Sequence, residues 1–302
     1  MNNNNRSAIG KHIKACLEDV RKRGLSPRTI DTYGRAMRDC MDFLISRGKT
    51  RPRNITTQDL VDYRLSLVER GFKPSSMQTY IRSVRLLFQY LEDTRSIFLN
   101  PTQTLDPVRR SRDLMPAPSL AEVIQLLESE DVSTAVGVRN RAMLEVLYGS
   151  GLRKQELVSL RCRDVDFADS QIRVLGKGNK ERIVPLTSAA MEWLRTYIEE
   201  AREKLLDGNT YDSLWISCHK KPACGPTVNM IFRNARERMN FKTHITPHSL
   251  RRACATHLLQ NGASPLDIQM LLGHSSLRHL SQYLHLTITE LKKAHEESEP
   301  GT

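Results

Sequence analysis

The chain has 302 residues, of which 39% are hydrophobic and 26% charged, and its formal net charge is +12. These values exclude a disordered chain, and no run approaches the roughly 18 apolar residues that a membrane-spanning helix requires. The first residues, Met1 to Arg6, lack the apolar stretch of a secretory signal, so we expect a cytoplasmic protein without a membrane partner. Most of the basic excess lies in residues 1–98, which favours nucleic acid as a partner over a merely basic protein.

The first third of the sequence predicts a small helical domain, residues 1–98. Apolar residues recur at helical spacing from Ile9 to Val20, and Gly24 then breaks the pattern. Ser26-Pro27 is typical of a helix start, because serine can cap the first turn and proline fits the first helical position. Two further apolar segments complete the set: Leu60, Val61, Leu65 and Val68 in a helix opened by Thr57, and Met77 to Leu91 in a helix opened by Ser75 or Ser76.

Five arginines of this region recur at helical intervals, as a surface that grips a phosphate backbone would require. For any single arginine, an ordinary solvated helix face is the simpler explanation. The candidate DNA-binding residues are Arg28, Arg35, Arg38, Arg82 and Arg85.

A proline-rich stretch separates this region from the rest of the chain. Pro101, Pro107, Pro116 and Pro118 remove backbone donors and disfavour helix, so residues 99–118 are predicted to be an extended linker. Its basic cluster includes Arg109 and Arg110, which we add to the candidate DNA-binding residues because a basic linker can lie along a duplex.

A second domain is predicted over residues 119–302. Ser119 and Glu122 have the spacing of a capping box, and helices are predicted at about 138–148 and from Arg153 onward. The β-prone runs Gln171–Leu175 and Glu181–Pro185 flank Gly176-Lys177-Gly178-Asn179, which is the turn chemistry of a hairpin. The remainder is predicted to be helical, so the fold class is mainly α with a small antiparallel β-sheet.

Several residues of this domain suit phosphate chemistry, although each is ambiguous alone. Arg153 follows the Gly149-Ser150-Gly151 break, with Glu156 placed to orient its guanidinium. Thr246-Pro247 predicts a helix whose first turn holds His248, with Arg251 on the same face near the positive helix end. His274 follows a glycine helix end, Tyr283 comes nine positions later, and Lys177 lies at the hairpin tip.

Taken in order, these segments resemble the tyrosine recombinase (phage integrase) family, and in particular its compact Xer-type branch. The resemblance rests on Gly151-Leu152-Arg153 with Glu156-Leu157, Gly176 to Arg182, His248-Ser249-Leu250-Arg251, Leu272-Gly273-His274 and Tyr283. It spans the second domain and extends less specifically to the first, where Leu25 to Thr29 and the four-helix pattern are similar to the core-binding domain of the family. It implies two domains that form a C-shaped clamp around duplex DNA.

The resemblance also implies a role for each residue. Tyr283 would attack the scissile phosphate to form a 3′-phosphotyrosyl link, while Arg153 and Arg251 would clamp the non-bridging oxygens. Lys177 would protonate the leaving 5′-oxygen, His248 would accept or donate a hydrogen bond, His274 would bind the phosphate, and Glu156 would orient Arg153. No ATP, metal or other cofactor is implied. The assembly implied is a homotetramer on two DNA sites that passes through a Holliday junction, with a second recombinase or an accessory protein as further candidate partners.

One stretch departs from the family. A threonine pair commonly precedes the segment leading into the tyrosine, whereas this chain has Arg278-His279-Leu280-Ser281-Gln282. The spacing from His274 to Tyr283 is nevertheless the expected one. His279 and His285 are additional candidates for phosphate contacts, and the apolar tail after Tyr283 could dock on a neighbouring subunit or pack within its own chain.

Two other functions remain open from the sequence alone. Asp164, Asp166 and Asp169 could hold Mg²⁺ in a nuclease, although aspartates before a strand are ordinary turn residues. A DNA-binding regulator could use the same basic surface without catalysis. A zinc site at Cys218-His219 and Cys224 is not expected, because the second ligand pair is missing.

Overall fold

The computed structural model describes residues 3–107, 117–176, 181–239, 241 and 244–273, with the backbone alone for residues 3–8. The chain divides into two compact units, Met1–Asp113 and Leu114–Thr302. Both are mainly helical, and the second contains a three-stranded antiparallel sheet, which confirms the predicted fold class. In the part of the chain that the structure describes, no helix is both long enough and apolar enough to cross a bilayer.

The first unit packs its helices around one apolar core. Ser26 caps the second helix by accepting the backbone N–H of Thr29, and Thr56 and Asp59 form a reciprocal capping box on the third. The fourth begins at Pro74, before the predicted serines, with proline in the first turn. The helices are α1 (Asn3–Lys22), α2 (Pro27–Ser46), α3 (Thr57–Glu69) and α4 (Pro74–Asp93).

The buried face of α3 differs from the predicted one. Leu60, Tyr63 and Leu67 are fully buried at helical spacing, whereas Leu65 and Val68 are 51% and 56% exposed. The four aliphatic residues that we assigned to one stripe therefore divide between two faces of the helix. Tyr63 takes the inner position because its hydroxyl donates to Asp39 Oδ2 at 2.8 Å, which satisfies the buried polar group.

The predicted extended linker is wrong for its first half. Asn100, Thr102 and Leu105 are buried in the first unit, and residues 101–104 form turns. The Thr57 hydroxyl donates to the Pro101 carbonyl at 3.0 Å, and Arg85 donates to the Leu105 carbonyl. Side chains of the helices thus satisfy the backbone acceptors of this segment. Residues 108–116, with Arg109 and Arg110, lie outside the described residues.

The second unit is built around its longest buried helix, α6. Eleven of its residues are buried, and α5, α8 and α11 pack against it. Ser119 caps α5 through the predicted box with Glu122. The helices are α5 (Leu120–Glu128), α6 (Ala135–Ser150), α7 (Lys154–Val158), α8 (Ser188–Thr196), α9 (Arg202–Leu206), α10 (Gly225–Arg238), α11 (Pro247–Gln260) and α12 (Pro265–Leu272), and a π-helical turn, Tyr197–Ala201, joins α8 to α9.

The sheet has the strand order β1 (Val165–Asp166), β2 (Gln171–Leu175) and β3 (Glu181–Pro185). The bounds of β2 and β3 are those predicted, while the two-residue β1 was missed. Val174 pairs with Arg182, and Arg173 pairs with Ile183. Because successive residues of a strand point to opposite faces, Arg182 lies on the inner face with Val174, and Arg173 lies on the outer face.

The prediction that the remainder is helical is wrong for residues 207–224. Asp207 and Gly208 both have positive φ, which ends α9, and the chain continues through turns and the isolated bridges Arg161↔Ser213 and Ile216↔Pro222. Trp215 in this segment is fully buried, and Tyr197 stacks on it with ring centroids 5.1 Å apart. Packing of these aromatic rings holds the irregular segment against the unit.

Candidate active site

Arg153 stands at the junction of α6 and α7. Gly151 ends α6 in the left-handed conformation (φ 59°), where a Cβ would lie 2.6 Å from Leu272 Cδ2, so the turn needs glycine for conformation and for space. Arg153 then caps α7. Its backbone N–H donates to Glu156 Oε2 at 2.9 Å, and its Nη1 donates to Glu156 Oε1 at 2.7 Å. The guanidinium is thereby fixed, yet 43% of the side chain remains exposed.

Glu156 is a buried carboxylate, 6% exposed, shared by several arginines. Arg182 of β3 binds it at two points, Nη1 to Oε1 at 3.0 Å and Nη2 to Oε2 at 2.9 Å. Burial alone would raise the pKa of Glu156, but hydrogen bonds from Arg182 and Arg153 outweigh it and lower the pKa to about 2. Glu156 is therefore ionised at neutral pH and supplies a fixed negative charge beneath the arginines.

Arg251 lies below the surface on α11. Thr246 caps this helix and Pro247 occupies its first turn, as predicted, and the Arg251 side chain is 3% exposed. Its Nη1 donates to the Gly151 carbonyl and lies 3.9 Å from Glu156 Oε2. The structure therefore brings Arg153, Glu156 and Arg251 together, as the sequence analysis expected.

The end of α12 holds the same arginines. Three successive carbonyls each accept from a different guanidinium: Leu271 from Arg182 Nε at 3.4 Å, Leu272 from Arg251 Nη2, and Gly273 from Arg153 Nη2 at 3.4 Å. The last carbonyls of a helix have no partner within it and carry partial negative charge, so they suit cations. We call Glu156 together with these three carbonyls the arginine cradle.

His248 lies in the first turn of α11, where its side chain reaches the surface although protein surrounds part of its ring. Partial burial and the charges of Arg252, Arg251 and Arg153 hold its pKa below the usual value for histidine. His248 is consequently neutral at neutral pH, and it lies close enough to the arginine cluster to respond to its charge.

The remaining candidate catalytic residues, Lys177, His274 and Tyr283, lie outside the described residues, as do His279 and His285. No role for Arg182 was predicted from the sequence. It stands within the quoted segment Gly176 to Arg182, but its contact with Glu156 joins residues 26 positions apart. No local pattern indicates such a contact.

The candidate DNA-binding arginines of the first unit divide into two kinds. Four of them, Arg28, Arg35, Arg38 and Arg82, are exposed, and Arg35 pairs with Asp31 one helical turn away at 2.9 Å. Arg85 is half-buried instead, and it donates to the Leu105 carbonyl. Arg85 therefore ties the chain after α4 to the unit, and its contact with DNA stays a prediction, as it does for the other four arginines.

The aspartates considered for a magnesium site are used in turns. Asp166 Oδ1 accepts the backbone N–H groups of Ala168 and Asp169, and Asp164 Oδ2 accepts that of Arg161. In residues 3–107, 117–176, 181–239, 241 and 244–273, no three His, Cys, Asp or Glu side chains are grouped as metal ligands. The described geometry gives a nuclease site no support.

A helical unit followed by a unit with two arginines on a buried carboxylate fits the resemblance to tyrosine-type site-specific DNA recombinases, the class to which the relatives named below belong. The model of the phage integrase family matches residues 119–290, and that of the phage integrase N-terminal SAM-like domain matches residues 13–97. The chain belongs to the phage integrase family.

Relatives of known name match along most of the chain. The tyrosine recombinase XerD of Staphylococcus aureus is 33% identical over 285 residues, covering 92% of this chain and 95% of the relative. XerD of Listeria monocytogenes is 34% identical over 281 residues, with the same coverage of 92% and 95%. Among solved structures, the XerH site-specific recombinase in a post-cleavage complex is similar, with a TM-score of 0.74, 24% identity and coverage of 94% and 84%. This last likeness shows the shared fold.

Proposed function

We propose that this chain cuts and rejoins DNA by transesterification, with Tyr283 as the nucleophile. The Tyr283 oxygen attacks the scissile phosphorus and forms a 3′-phosphotyrosyl bond, and the 5′-oxygen leaves with a proton from Lys177. Attack by the 5′-hydroxyl of a second strand then releases the tyrosine. One phosphodiester is exchanged for another, so the bond energy is conserved and the reaction proceeds without ATP or a metal. Two rounds of exchange pass through a Holliday junction.

The observation that carries this proposal is that Arg153 and Arg251 both contact the buried carboxylate of Glu156. Negative charge grows on the non-bridging phosphate oxygens as the tyrosine attacks, and guanidinium groups held in advance stabilise that charge without reorganising. Arg153 offers exposed donors to one oxygen, and Arg251 adds a buried positive charge beneath. The separation of Arg153 Nη1 from Glu156 Oε1, 2.7 Å, shows how tightly the first of them is held.

His248 and His274 complete the proposed phosphate site. With its pKa held low, His248 is neutral and can accept a proton or donate a hydrogen bond as the tyrosine reacts. His274, directly after the Gly273 carbonyl that accepts from Arg153, would hydrogen-bond the phosphate. Both assignments follow the family motif residue by residue.

The proposed partner is double-stranded DNA; the similar solved structure of XerH is of the recombinase bound to a palindromic difH substrate. We propose that residues 1–98 form the core-binding domain, 99–118 the connection, and 119–302 the catalytic domain of a DNA clamp. Arg28, Arg35, Arg38, Arg82, Arg109 and Arg110 would contact the DNA backbone.

The active assembly would be a homotetramer on two DNA sites in the cytoplasm, where a second recombinase or an accessory protein could join it. Its task would be dimer resolution, integration, excision or transposition.

Covalent trapping tests this function. The full chain is mixed with a fragmented library of host DNA in EDTA, denatured in detergent, and assayed for attached DNA. Wild type and a matched Tyr211→Phe control should retain DNA, whereas Tyr283→Phe should retain none, and sequencing the captured ends identifies the site. Attachment by Tyr283→Phe would overturn the nucleophile, cleavage that EDTA abolishes would indicate a nuclease, and reversible binding alone would indicate a DNA-binding regulator.

A further inference from the structure

Arg182 makes three hydrogen bonds within the arginine cradle, all of them through its guanidinium. Both of its terminal nitrogens bind Glu156, at 3.0 and 2.9 Å, and its Nε donates to the Leu271 carbonyl at 3.4 Å. Only 16% of the side chain is exposed. The guanidinium is thus held at all three of its nitrogens, on the inner face of the sheet.

These contacts decide how Glu156 is oriented. A carboxylate held at one oxygen can rotate about its last side-chain bond, whereas a two-point pair with a guanidinium fixes the carboxylate plane. Arg153 uses both oxygens of Glu156, one through Nη1 and one through its backbone N–H. The position of Arg153 therefore depends on a carboxylate that Arg182 also holds at both oxygens.

Arg182 also joins two elements that carry proposed catalytic residues. It is the second residue of β3, five positions after Lys177, and through the Leu271 carbonyl it contacts the last turn of α12, which leads to Gly273 and His274. A Cβ at Gly273 would lie 3.0 Å from Arg182 Cζ and Nε, so the guanidinium packs directly on that backbone. Arg182 thus connects β3, of which it is part, to the Glu156 carboxylate and to the end of α12.

We propose that Arg182 is a positioning residue for strand cleavage, which holds Glu156 and the end of α12 so that Arg153 and Arg251 meet the scissile phosphate in register. The inference rests on the proposed function, since it assigns those two arginines to the phosphate. Arg182 acts through them and does not itself contact the DNA.

The first test compares Arg182→Gln with Arg173→Gln on a duplex bearing the cleavage site, with covalent product as the readout. Arg173 is the matched control because it lies on the neighbouring strand but on the outer face of the sheet. A misplacement of about 1 Å in a reacting group can cost on the order of 100-fold in rate. We expect that loss for Arg182→Gln, a smaller one for Arg182→Lys, and near wild-type cleavage for Arg173→Gln. Full activity of Arg182→Gln would overturn the proposal.

The second test separates positioning from folding. In a methylphosphonate substrate, one non-bridging oxygen is replaced by methyl, so the scissile group is neutral and depends less on the arginines. If Arg182 acts through the arginine pair, the wild-type to Arg182→Gln rate ratio should fall toward one on this substrate. A partly unfolded variant would show the same ratio on both substrates, because the loss of active protein lowers both of its rates by the same factor, and that outcome would overturn the proposal.

The third test separates action through Glu156 from direct contact with DNA. Residues that act as one unit give non-additive losses in a double-mutant cycle. Arg182→Gln should therefore add less than about threefold in a Glu156→Gln background, while independent action would multiply the two losses. Wild-type trapping with Tyr283→Phe inactive must be seen in the same assay. If wild type does not trap DNA, or if Tyr283→Phe does, the proposed function is wrong. If both behave as expected and only the Arg182 variants do not, the positioning role alone is wrong.

Discussion

Gly273 and Arg182 pack so closely that a Cβ at position 273 would stand 3.0 Å from the Cζ and Nε atoms of the guanidinium. Gly273 also has a φ of 60°, the left-handed conformation that ends α12. Two separate requirements, one conformational and one spatial, thus fall on the same glycine. The spatial one links the glycine to the arginine cradle.

Gly273→Ala should therefore lower both stability and cleavage. The left-handed backbone costs alanine roughly 1–2 kcal/mol, and the new methyl group must displace a guanidinium that Glu156 holds. Gly262→Ala is the matched control, since its φ is 86° and nothing lies within 4 Å of its added Cβ. Thermal unfolding should show a loss in both variants, while the trapping assay should show reduced cleavage in Gly273→Ala alone. Equal cleavage by the two would argue against the packing effect.

The lowered pKa of Glu156 predicts how stability changes with pH. The pKa is about 2 in the folded chain against 4.5 for the free side chain, so ionised Glu156 stabilises the fold above pH 4.5, by about 3 kcal/mol at 1.36 kcal/mol per unit. That contribution is lost as pH falls from about 4.5 toward 2. Glu156→Gln should thus be less stable at pH 7, with a deficit that narrows below pH 4.5.

Urea unfolding of wild type, Glu156→Gln and the exposed control Glu128→Gln at several pH values measures this deficit. Glu128→Gln should remain close to wild type. A deficit for Glu156→Gln that is the same at pH 7 and pH 3 would mean that charge is not its cause.

Arg153→Ala and Arg251→Ala should differ in stability although both lose activity. Each removes a donor for the transition state, which typically costs about 10²–10³ in rate. Arg251 is 3% exposed and satisfies the carbonyls of Gly151 and Leu272, so its loss also leaves buried acceptors without partners. We expect a lower melting temperature for Arg251→Ala than for Arg153→Ala, whose side chain is 43% exposed. The reverse order of melting temperatures would contradict the structure.

The charge of Arg153 should be measurable at His248. Arg153 is one of three arginines that lower the histidine pKa, so Arg153→Gln should raise that pKa toward its usual value. Because the folded pKa lies below 6.5, the unfolded chain binds the proton first, and folding is weakened as pH falls through that value. An NMR titration of the His248 ring, assigned with His248→Gln, measures the change. Arg233→Gln, on the exposed face of α10, is the control that should leave it unmoved.

The elements that sequence reasoning predicted well are those whose information is local. Ser26-Pro27, Ser119 with Glu122, and Thr246-Pro247 each start a helix where expected, because a cap needs only residues within one turn. Strands β2 and β3 have the predicted bounds, since their turn chemistry lies between them. The union of Arg153, Glu156 and Arg251 followed from the family motif rather than from spacing.

The features that were missed depend on distant partners. Arg182 reaches Glu156 across 26 positions and Leu271 across 89. The linker, residues 99–118, was predicted to be extended because proline disfavours helix, yet residues 101–104 form turns and contacts with α3 and α4 hold the backbone of Pro101 and Leu105. Leu65 and Val68 fit a helical stripe by spacing, but in the folded unit Tyr63 is buried on the inner face of α3 and these two residues are exposed.

The oxygen atoms at the end of α12 have a consequence for the thermodynamics of DNA binding. Immobilising a long side chain such as arginine costs up to about 2 kcal/mol of rotamer entropy. Arg153, Arg182 and Arg251 each give a hydrogen bond to one of the carbonyls from Leu271 to Gly273, so their rotamers are already restricted within the folded catalytic unit. That entropy loss accompanies folding and not association. A phosphate group that binds at the site therefore meets arginine side chains whose rotamers are already restricted. Because little further side-chain entropy is lost on binding, more of the electrostatic attraction contributes to affinity.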